Sequence, residues 1–400
     1  MNLYEQHPYW LMKDGIVAQY PSLDKDLSID VAIMGAGISA ALTAWHLRDV
    51  GLSVAVFDRR HVGMGSTAAS TAFLQYEIDT PLTELINYVG EINAVKSYQL
   101  CRKAIYDIEH LCKTLKPAFD FHLVPSLQYA SFNTHTDKLK QEYELRKKHG
   151  FEIDWLEKTD IKKIFGFEAP GAVFSKDGGE VDAYLLTHAL LNDFCKKGNQ
   201  VFNNTPVKHI ENTRQGVTLH MNDYLKVKAK KLVIAAGYES LKYVPKKIAD
   251  IHSTYALVSE PLPNKYFWHH NSLIWETATP YMYFRVVSEN CILIGGRDDP
   301  YHHPHIKPSL IAKKTKLLQQ AFMKKMTHIP LKTDFSWAGA FATTKDGLPY
   351  IGTIPERPNT YFALGFGGNG ITFSVIAAKI LQDLILGKKD ENAKLFEFNR

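Results

Sequence analysis

The chain has 400 residues and a formal net charge of +5, and its 45% hydrophobic and 22% charged residues are typical of a globular protein. This length favours two domains, and the dispersed basic residues argue against a nucleic-acid-binding protein. The longest apolar stretch is interrupted by glycines, so no transmembrane segment is predicted. The stretch "MNLYEQHPYW" lacks a basic start followed by an apolar core, so no secretion signal is expected.

Four cysteines are spread along the chain and show no CxxC pair. They are Cys101, Cys112, Cys195 and Cys291. This pattern is typical of reduced thiols, so we expect a cytoplasmic protein.

The stretch "DVAIMGAGISAALTAWHL", Asp30 to Leu47, predicts a strand, a glycine turn and a helix. Val31 to Met34 have the composition of a buried parallel strand, and apolar residues recur at helical intervals beyond the glycines. Gly35 and Gly37 would let the backbone come close to a pyrophosphate, and the N-terminus of the helix would stabilise its charge. The turn therefore predicts a dinucleotide phosphate site.

A second strand supports this interpretation. Residues 53–57 read "SVAVF" and end at Asp58, about twenty residues beyond the first glycine, where an acid can bind a ribose diol. Asp58 also argues against a 2′-phosphate, although Arg59 and Arg60 beside it weaken that argument. A purely structural turn is the alternative.

Two further segments can contact a nucleotide. The segment "GMGSTAASTAF", residues 63–73, has no charged residue and is predicted as a loop against a flat ligand, with a flexible surface loop as the alternative. A third strand, Leu232 to Ala235, ends at Ala236 and Gly237, small residues that would let the chain pass beneath the nucleotide.

The C-terminal segment "GFGGNGIT" repeats the order of glycine turn and helix. The predicted helix begins near Ile371, and its N-terminus would stabilise negative charge on a reduced flavin ring. A nicotinamide enzyme has no such need, so this turn favours a flavin. A glycine-capped turn before a core helix is the alternative.

These motifs together resemble the D-amino acid oxidase, glycine oxidase and sarcosine oxidase family of FAD-dependent oxidoreductases. The resemblance also includes "GGEVDAYLLTHALL", "MYFRVVSENCILIGGRDD" and "TKDGLPYIG", in order along almost the whole chain. Tyr9 and Trp10, ahead of the first strand, further resemble the branch that contains the gamma-glutamylputrescine oxidoreductases.

The resemblance implies an α/β protein with a discontinuous, Rossmann-like FAD-binding domain and an α+β substrate domain built on a mixed β-sheet. The expected FAD domain comprises residues 1–85, 157–250 and 335–400, and the substrate domain comprises residues 86–156 and 251–334. The charged helical pattern of Lys138 to Lys148 is compatible with this division.

The resemblance also implies the cofactor site. Its expected residues are Gly35, Ala36, Gly37, Ile38 and Ser39 for the ADP part, Asp58 and Arg59 at the ribose, Gly65, Ser66, Thr67, Ser70 and Thr71 along the pyrophosphate and ring, Val207 at the adenine, Ala236 and Gly237 beside the nucleotide, and Gly367, Gly368, Asn369, Gly370 and Ile371 at the pyrimidine edge. Neither the cysteine nor the histidine that links FAD covalently in some relatives is present at its expected position, so we expect non-covalent FAD.

The substrate site departs from the family pattern. Relatives that oxidise amino acids hold the substrate carboxylate with an arginine near the position where this chain has Phe341 and Ala342. A free α-amino acid could then bind only if Arg285 or Arg297 held its carboxylate. The alternative role of Arg285 is a structural ion pair.

The pocket candidates are therefore mostly aromatic. They are Tyr255, Tyr281, Tyr283, Arg285 and Phe341, and each aromatic residue has a core position as its alternative. No residue is predicted as a catalytic base. His302, His303 and His305 are predicted to lie in an exposed loop rather than in a metal site, so no metal is expected.

The predicted function is oxidation of a C–N bond of an amine or N-substituted amino acid by hydride transfer to flavin N5, followed by hydrolysis of the imine. The electron acceptor is oxygen or a carrier, so oxidase and dehydrogenase remain open. The alternatives are a non-catalytic flavin-binding regulatory or assembly protein and an NAD-dependent dehydrogenase.

Overall fold

The computed structural model describes residues 3–115, 119–222, 224–300 and 306–400. The strands within these ranges are β1 (Tyr4–Gln6), β2 (Leu27–Met34), β3 (Val54–Phe57), β4 (Phe73–Gln75), β5 (His122–Leu123), β6 (Ser126–Tyr129), β7 (Ile153–Glu157), β8 (Gly171–Ser175), β9 (Gly178–Glu180), β10 (Gln200–Phe202), β11 (His209–Asn212), β12 (Val217–His220), β13 (Lys226–Ile234), β14 (Asp250–Ser259), β15 (Leu273–Glu276), β16 (Met282–Val287), β17 (Cys291–Pro300), β18 (Thr333–Thr343), β19 (Tyr350–Thr353) and β20 (Thr360–Leu364).

The α-helices of the described residues alternate with these strands. They are α1 (Tyr9–Asp14), α2 (Ile38–Leu47), α3 (Ser66–Ala69), α4 (Leu82–Val89), α5 (Glu91–Leu115), α6 (Thr136–Lys148), α7 (Lys158–Phe165), α8 (Ala183–Lys196), α9 (Pro308–Lys325) and α10 (Gly370–Ile385). Short 3-10 helices include residues 237–243 after β13 and residues 367–369 before α10. In the described part of the chain, no helix combines the length and apolar character needed to cross a membrane.

Local sequence signals explain several helix ends. The carboxylate of Asp182 caps α8 by accepting hydrogen bonds from the amides of Tyr184 at 3.0 Å and Leu185 at 2.9 Å. A capping box of Glu157 and Asp160 begins α7, which ends at a glycine in the left-handed region. These contacts satisfy amides and carbonyls that a helix end leaves unpaired.

The first sheet has eight strands, with β10, β3, β2, β13, β12 and β11 in order and β20 and β19 branching from β13. Strands β10, β3, β2, β13 and β20 run parallel, so β2, β3 and β13 present their carboxyl ends on one side. Helix α2 packs against α8 and α10 beside this sheet. Both faces are covered, which explains the continuous apolar runs of its central strands.

The second sheet has nine strands in the order β1, β18, β14, β17, β16, β15, β6, β8 and β7. It is mixed, since β15 pairs parallel with β6 and its other neighbouring pairs are antiparallel. One face packs on α9, where Leu257, Phe284, Ile294 and Phe322 are buried together. A small sheet of β4, β9 and β5 lies near α5.

The described strands match the expected mixed α/β fold, but three of them depart from the expected domain ranges. Strands β1, β8 and β18 lie mainly in segments assigned to the FAD domain, yet they hydrogen-bond into the nine-stranded sheet. The reason is long-range pairing: Tyr4 of β1 is opposite Gly339 of β18. The exact division into domains stays a prediction.

Candidate functional site

A cavity of about 500 Å³ lies between the carboxyl ends of β2, β3 and β13 and one face of the nine-stranded sheet. At one end it is lined by the first glycine turn. The 3-10 turn before α10 and residues of β14, β16 and β18 line it as well. We refer to the part beside the nine-stranded sheet as the ring end.

The first glycine turn brings the backbone very close to its neighbours. Gly35 has φ +109°, and a side chain there would collide with the backbone of Ala235 at the end of β13. A Cβ on Gly37 would lie 2.9 Å from Thr67 Oγ1, which accepts a hydrogen bond from the amide of Ile38 at 3.0 Å. Neither glycine has room for a side chain, and the N-terminus of α2 lines the cavity, so the turn fits a bound pyrophosphate.

Asp58 lines the cavity at the end of β3. Its carboxylate accepts hydrogen bonds from the amides of Ala36 and Arg60, both at 2.7 Å. Burial raises the pKa of Asp58, and these two amides oppose the rise. Arg59 and Arg60 both pair with Glu239, at 2.6 Å and 3.0 Å. The carboxylate of Asp58 is therefore placed to accept a hydrogen bond from a ribose hydroxyl. That contact stays a prediction.

The loop that contains α3 is held by buried donors from distant parts of the chain. The indole of Trp10 donates to the carbonyl of Ser70 at 2.7 Å, and the indole of Trp337 donates to that of Ala69 at 2.9 Å. The guanidinium of Arg285 donates to the carbonyl of Thr71, in the same loop, at 3.0 Å. The loop is thus a fixed wall of the cavity.

The C-terminal glycine turn is anchored to the segment after β4. The side-chain amide of Asn369 donates to the carbonyls of Gln75 at 3.1 Å and Glu77 at 2.9 Å. The amide of Gly368 donates to Asp79 Oδ2 at 2.8 Å. These bonds place the N-terminus of α10 at the cavity, where it provides a positive potential.

The structure brings the expected cofactor residues together. Those among the described cavity-lining residues are Gly35, Gly37, Ile38, Ser39, Asp58, Arg59, Gly65, Ser66, Thr67, Ser70, Thr71, Val207, Ala236, Gly237, Gly367, Gly368, Asn369, Gly370 and Ile371. Ala36 is not a lining residue, and its amide instead fixes Asp58. Their roles toward FAD stay predictions.

Three of the five pocket candidates line the ring end. Tyr281, Tyr283 and Phe341 face the cavity together with Trp337. The hydroxyl of Tyr283 lies 3.1 Å from Thr71 Oγ1, and the ring centroids of Tyr281 and Tyr283 are 5.8 Å apart. These side chains form an aromatic wall.

Tyr255 lies on the opposite face of the nine-stranded sheet. Its neighbours Thr254 and Ala256 line the cavity, whereas Tyr255 packs in the core beside α9 and donates to Asp299 Oδ2 at 3.1 Å. Side chains alternate between the two faces of a strand, so this residue takes the core position.

Arg285 is also outside the set of described lining residues. Its Nη1 donates to Glu180 Oε2 at 2.9 Å and its Nε to the carbonyl of Thr71, and only 2% of its surface is exposed. The structure thus places Arg285 in the buried ion pair that was its alternative role. Arg297 is not a described lining residue either.

Two acids that neighbour lining residues were not predicted as site residues, although one of them belongs to the segment "MYFRVVSENCILIGGRDD". Neither acid is itself among the described lining residues. Asp79 contacts the C-terminal glycine turn, and Asp298 follows the paired glycines of β17. Burial raises the pKa of Asp298 to about 6, while the hydroxyls of Thr254 and Tyr281 lower it. His302, His303 and His305 lie outside the described residues.

Comparison with known proteins agrees with this geometry. The family model described as "FAD dependent oxidoreductase" (DAO) matches residues 30–384. Glycine oxidase of Bacillus licheniformis is 26% identical, covering 93% of this chain and 97% of that protein. Gamma-glutamylputrescine oxidoreductase of Escherichia coli is 21% identical over 95% of this chain and 88% of its own length.

The fold is also similar to that of solved structures. Glycine oxidase from Geobacillus kaustophilus superposes with a TM-score of 0.78 at 20% identity, covering 91% of this chain and 96% of that one. The family match confirms the predicted family and its FAD cofactor. It therefore argues against the alternative of an NAD-dependent dehydrogenase. The chain belongs to the DAO family of FAD-dependent oxidoreductases.

Proposed function

We propose that this protein oxidises a C–N bond of an amine or N-substituted amino acid and that the imine product is hydrolysed in water. The observation that carries this proposal is the single cavity that joins the glycine turn after β2 to the aromatic wall of the nine-stranded sheet. A dinucleotide can occupy the first end while a small substrate occupies the ring end.

Bound FAD supplies the acceptor for a hydride from the carbon next to the nitrogen. The residues of this chain position the substrate and exclude water. Tyr281, Tyr283 and Phe341 provide the aromatic wall, and the donors from Arg285 and Trp337 hold the α3 loop in place beside it. The N-terminus of α10 adds a positive potential, which suits a site where negative charge develops.

The test is the visible spectrum of purified protein, recorded without oxygen before and after adding primary amines, polyamines, N-methyl amino acids and D-amino acids. Bleaching of bands near roughly 375 and 450 nm by one class would support the proposal. Flavin bands that no compound bleaches would instead favour the flavin-binding protein without turnover.

The electron acceptor is addressed by the same sample. We propose that the acceptor is either oxygen or a carrier, and the rate of reoxidation in air compared with that by an artificial carrier distinguishes an oxidase from a dehydrogenase. A cytoplasmic location stays a prediction from the cysteine pattern, and the four cysteines are free.

A further inference from the structure

Two successive carbonyls of the α3 loop (residues 63–72) accept hydrogen bonds from side chains on two distant elements. The carbonyl of Ser70 accepts from the indole of Trp10, on α1, at 2.7 Å. The next carbonyl, that of Thr71, accepts from Nε of Arg285, on β16, at 3.0 Å. The two peptide groups are therefore fixed individually from outside the loop.

The amides of the same stretch differ in their partners. The amide of Ser70 donates to the carbonyl of Thr67 at 3.2 Å, and the amide of Ala72 donates to Ser70 Oγ at 3.1 Å. The amide of Thr71, between them, donates to no acceptor among the described residues. Thr71 lines the cavity, and its Oγ1 lies 3.1 Å from the hydroxyl of Tyr283 at the ring end. This amide is therefore available to a group bound in the cavity.

Trp10 contacts the loop from the side away from the cavity. Only 1% of its surface is exposed, and it is not one of the described lining residues. The peptide between Ser70 and Thr71 is trans, and in a trans peptide the carbonyl and the following N–H point in opposite directions. Because the carbonyl of Ser70 points to Trp10, the N–H of Thr71 points away from the indole.

The backbone beyond this peptide does not hold its conformation by local preference. Ala72 has φ +49°, in the left-handed region that residues other than glycine rarely adopt. Such a conformation persists where the surrounding structure determines it. The bonds from Trp10 and Arg285 to the two preceding carbonyls provide that determination.

The N-terminal segment (residues 3–14) is itself attached on both sides of Trp10. Before the tryptophan, β1 pairs with β18 of the nine-stranded sheet. After it, Lys13 Nζ lies 2.9 Å from Asp182 Oδ2 and 3.0 Å from Asp120 Oδ2. The position of the indole is thus set by contacts that are independent of the α3 loop.

We propose that Trp10 is a positioning residue of the flavin site, whose indole orients the peptide between Ser70 and Thr71 so that the amide of Thr71 donates into the ring end. This inference rests on the proposed function, because it takes the flavin ring to lie against the α3 loop. Reduction places negative charge on that ring, and a donor that is already oriented stabilises the charge without reorganisation. Trp10 thereby raises the midpoint potential of the flavin and favours its reduction.

The test is the midpoint potential of the FAD-loaded protein, measured without oxygen against a dye of known potential, for the native chain and for Trp10→Phe. Phenylalanine keeps an aromatic ring and removes the N–H. We expect the variant to bind reduced flavin about tenfold less tightly relative to oxidised flavin, as loss of a hydrogen bond to a charged group commonly costs at least this factor. For a two-electron couple, this is a fall of about 30 mV. Hydrogen exchange of peptides that cover residues 63–73 should become faster in the same sample.

Two control variants separate orientation of the loop from general packing. The indole of Trp268 is also buried and donates to the carbonyl of Ser272 at 2.7 Å, but it packs in the core beside α9, so Trp268→Phe should change neither readout. Tyr9→Phe removes a hydroxyl that donates to the carbonyl of Ser288 at 3.4 Å and leaves Trp10 in place. It should also keep the native potential. If Trp10→Phe does not fold, 3-benzothienylalanine at position 10 keeps the two-ring shape and removes only the N–H.

The outcomes decide the role of Trp10 separately from the proposed function. A fall in potential confined to the Trp10 variants, together with faster exchange in the loop, would support the role. An unchanged potential, a fall of the same size in either control, or a fall without faster exchange in the loop would overturn it. The potential is measured without substrate: if no amine bleaches the flavin, amine oxidation fails, and the potential still decides whether Trp10 positions the loop.

Discussion

Replacing Arg285 by Met tests whether the buried arginine of β16 is structural or binds substrate. Methionine keeps an unbranched apolar chain and removes the guanidinium. In the native structure Nη1 bonds to Glu180 and Nε to the carbonyl of Thr71, and the guanidinium lies 5.6 Å from the ring centre of Trp10. The structure therefore predicts a large loss of stability and no selective effect on carboxylated substrates.

The expected magnitude follows from burial. Arg285→Met leaves the carboxylate of Glu180, which is 9% exposed, without its ion-pair partner. Breaking a buried pair by removing one partner costs about 3–5 kcal/mol. At about 2 °C per kcal/mol for a chain of this size, we expect the Tm to fall by roughly 6–10 °C.

The assay is thermal unfolding with saturating FAD for Arg285→Met, Glu180→Gln and the double variant. The double variant should lose less than the sum of the single losses, because neither charge is then buried alone. Flavin reduction is measured in parallel with an amine and its carboxylated analogue, and their ratio should not change. A Tm within about 2 °C of the native value, combined with a loss specific to the carboxylated compound, would refute the structural role.

Two further predictions address the cofactor. Gly35→Ala should abolish retention of FAD, because the new Cβ would collide with the backbone of Ala235 after β13. The control is Gly51→Ala, at another positive φ with open space around it, which should lower the free energy of unfolding by about 1 kcal/mol and still retain FAD. Flavin absorbance after gel filtration measures the retention. Acid precipitation should release all of the flavin into the supernatant, and flavin that stays with the polypeptide would contradict non-covalent binding.

Short-range motifs predicted the cofactor end of the site because the physics there is local. A glycine at φ +109° and a strand that ends in an acid constrain only a few residues, and Gly35 and Asp58 take the expected positions. The strand and helix around them also match the structure, as β2 ends at Met34 and α2 begins at Ile38. Local sequence therefore suffices for this turn.

Side-chain direction in the nine-stranded sheet could not be predicted in the same way. The choice between Thr254 and Tyr255 as the cavity residue depends on which face of β14 meets the first sheet, and a register shift opposite β17 lies between Ser253 and Tyr255. A shift of one residue exchanges the two faces of a strand. The composition of β14, with apolar and aromatic side chains on both faces, carries no signal for either choice.

The substrate end differs from the cofactor end because its residues lie on separate elements of the nine-stranded sheet. The sequence showed Phe341 near the position where an arginine was expected, so a free α-amino acid substrate depended on Arg285 or Arg297. It did not show that the aromatic side chains of Tyr281, Tyr283 and Trp337 line the cavity together with Phe341. The guanidinium of Arg285 is held by Glu180 and by the carbonyl of Thr71. A substrate carboxylate at this wall would therefore meet no cation from the described lining residues of β14, β16 and β18, which disfavours a free amino acid.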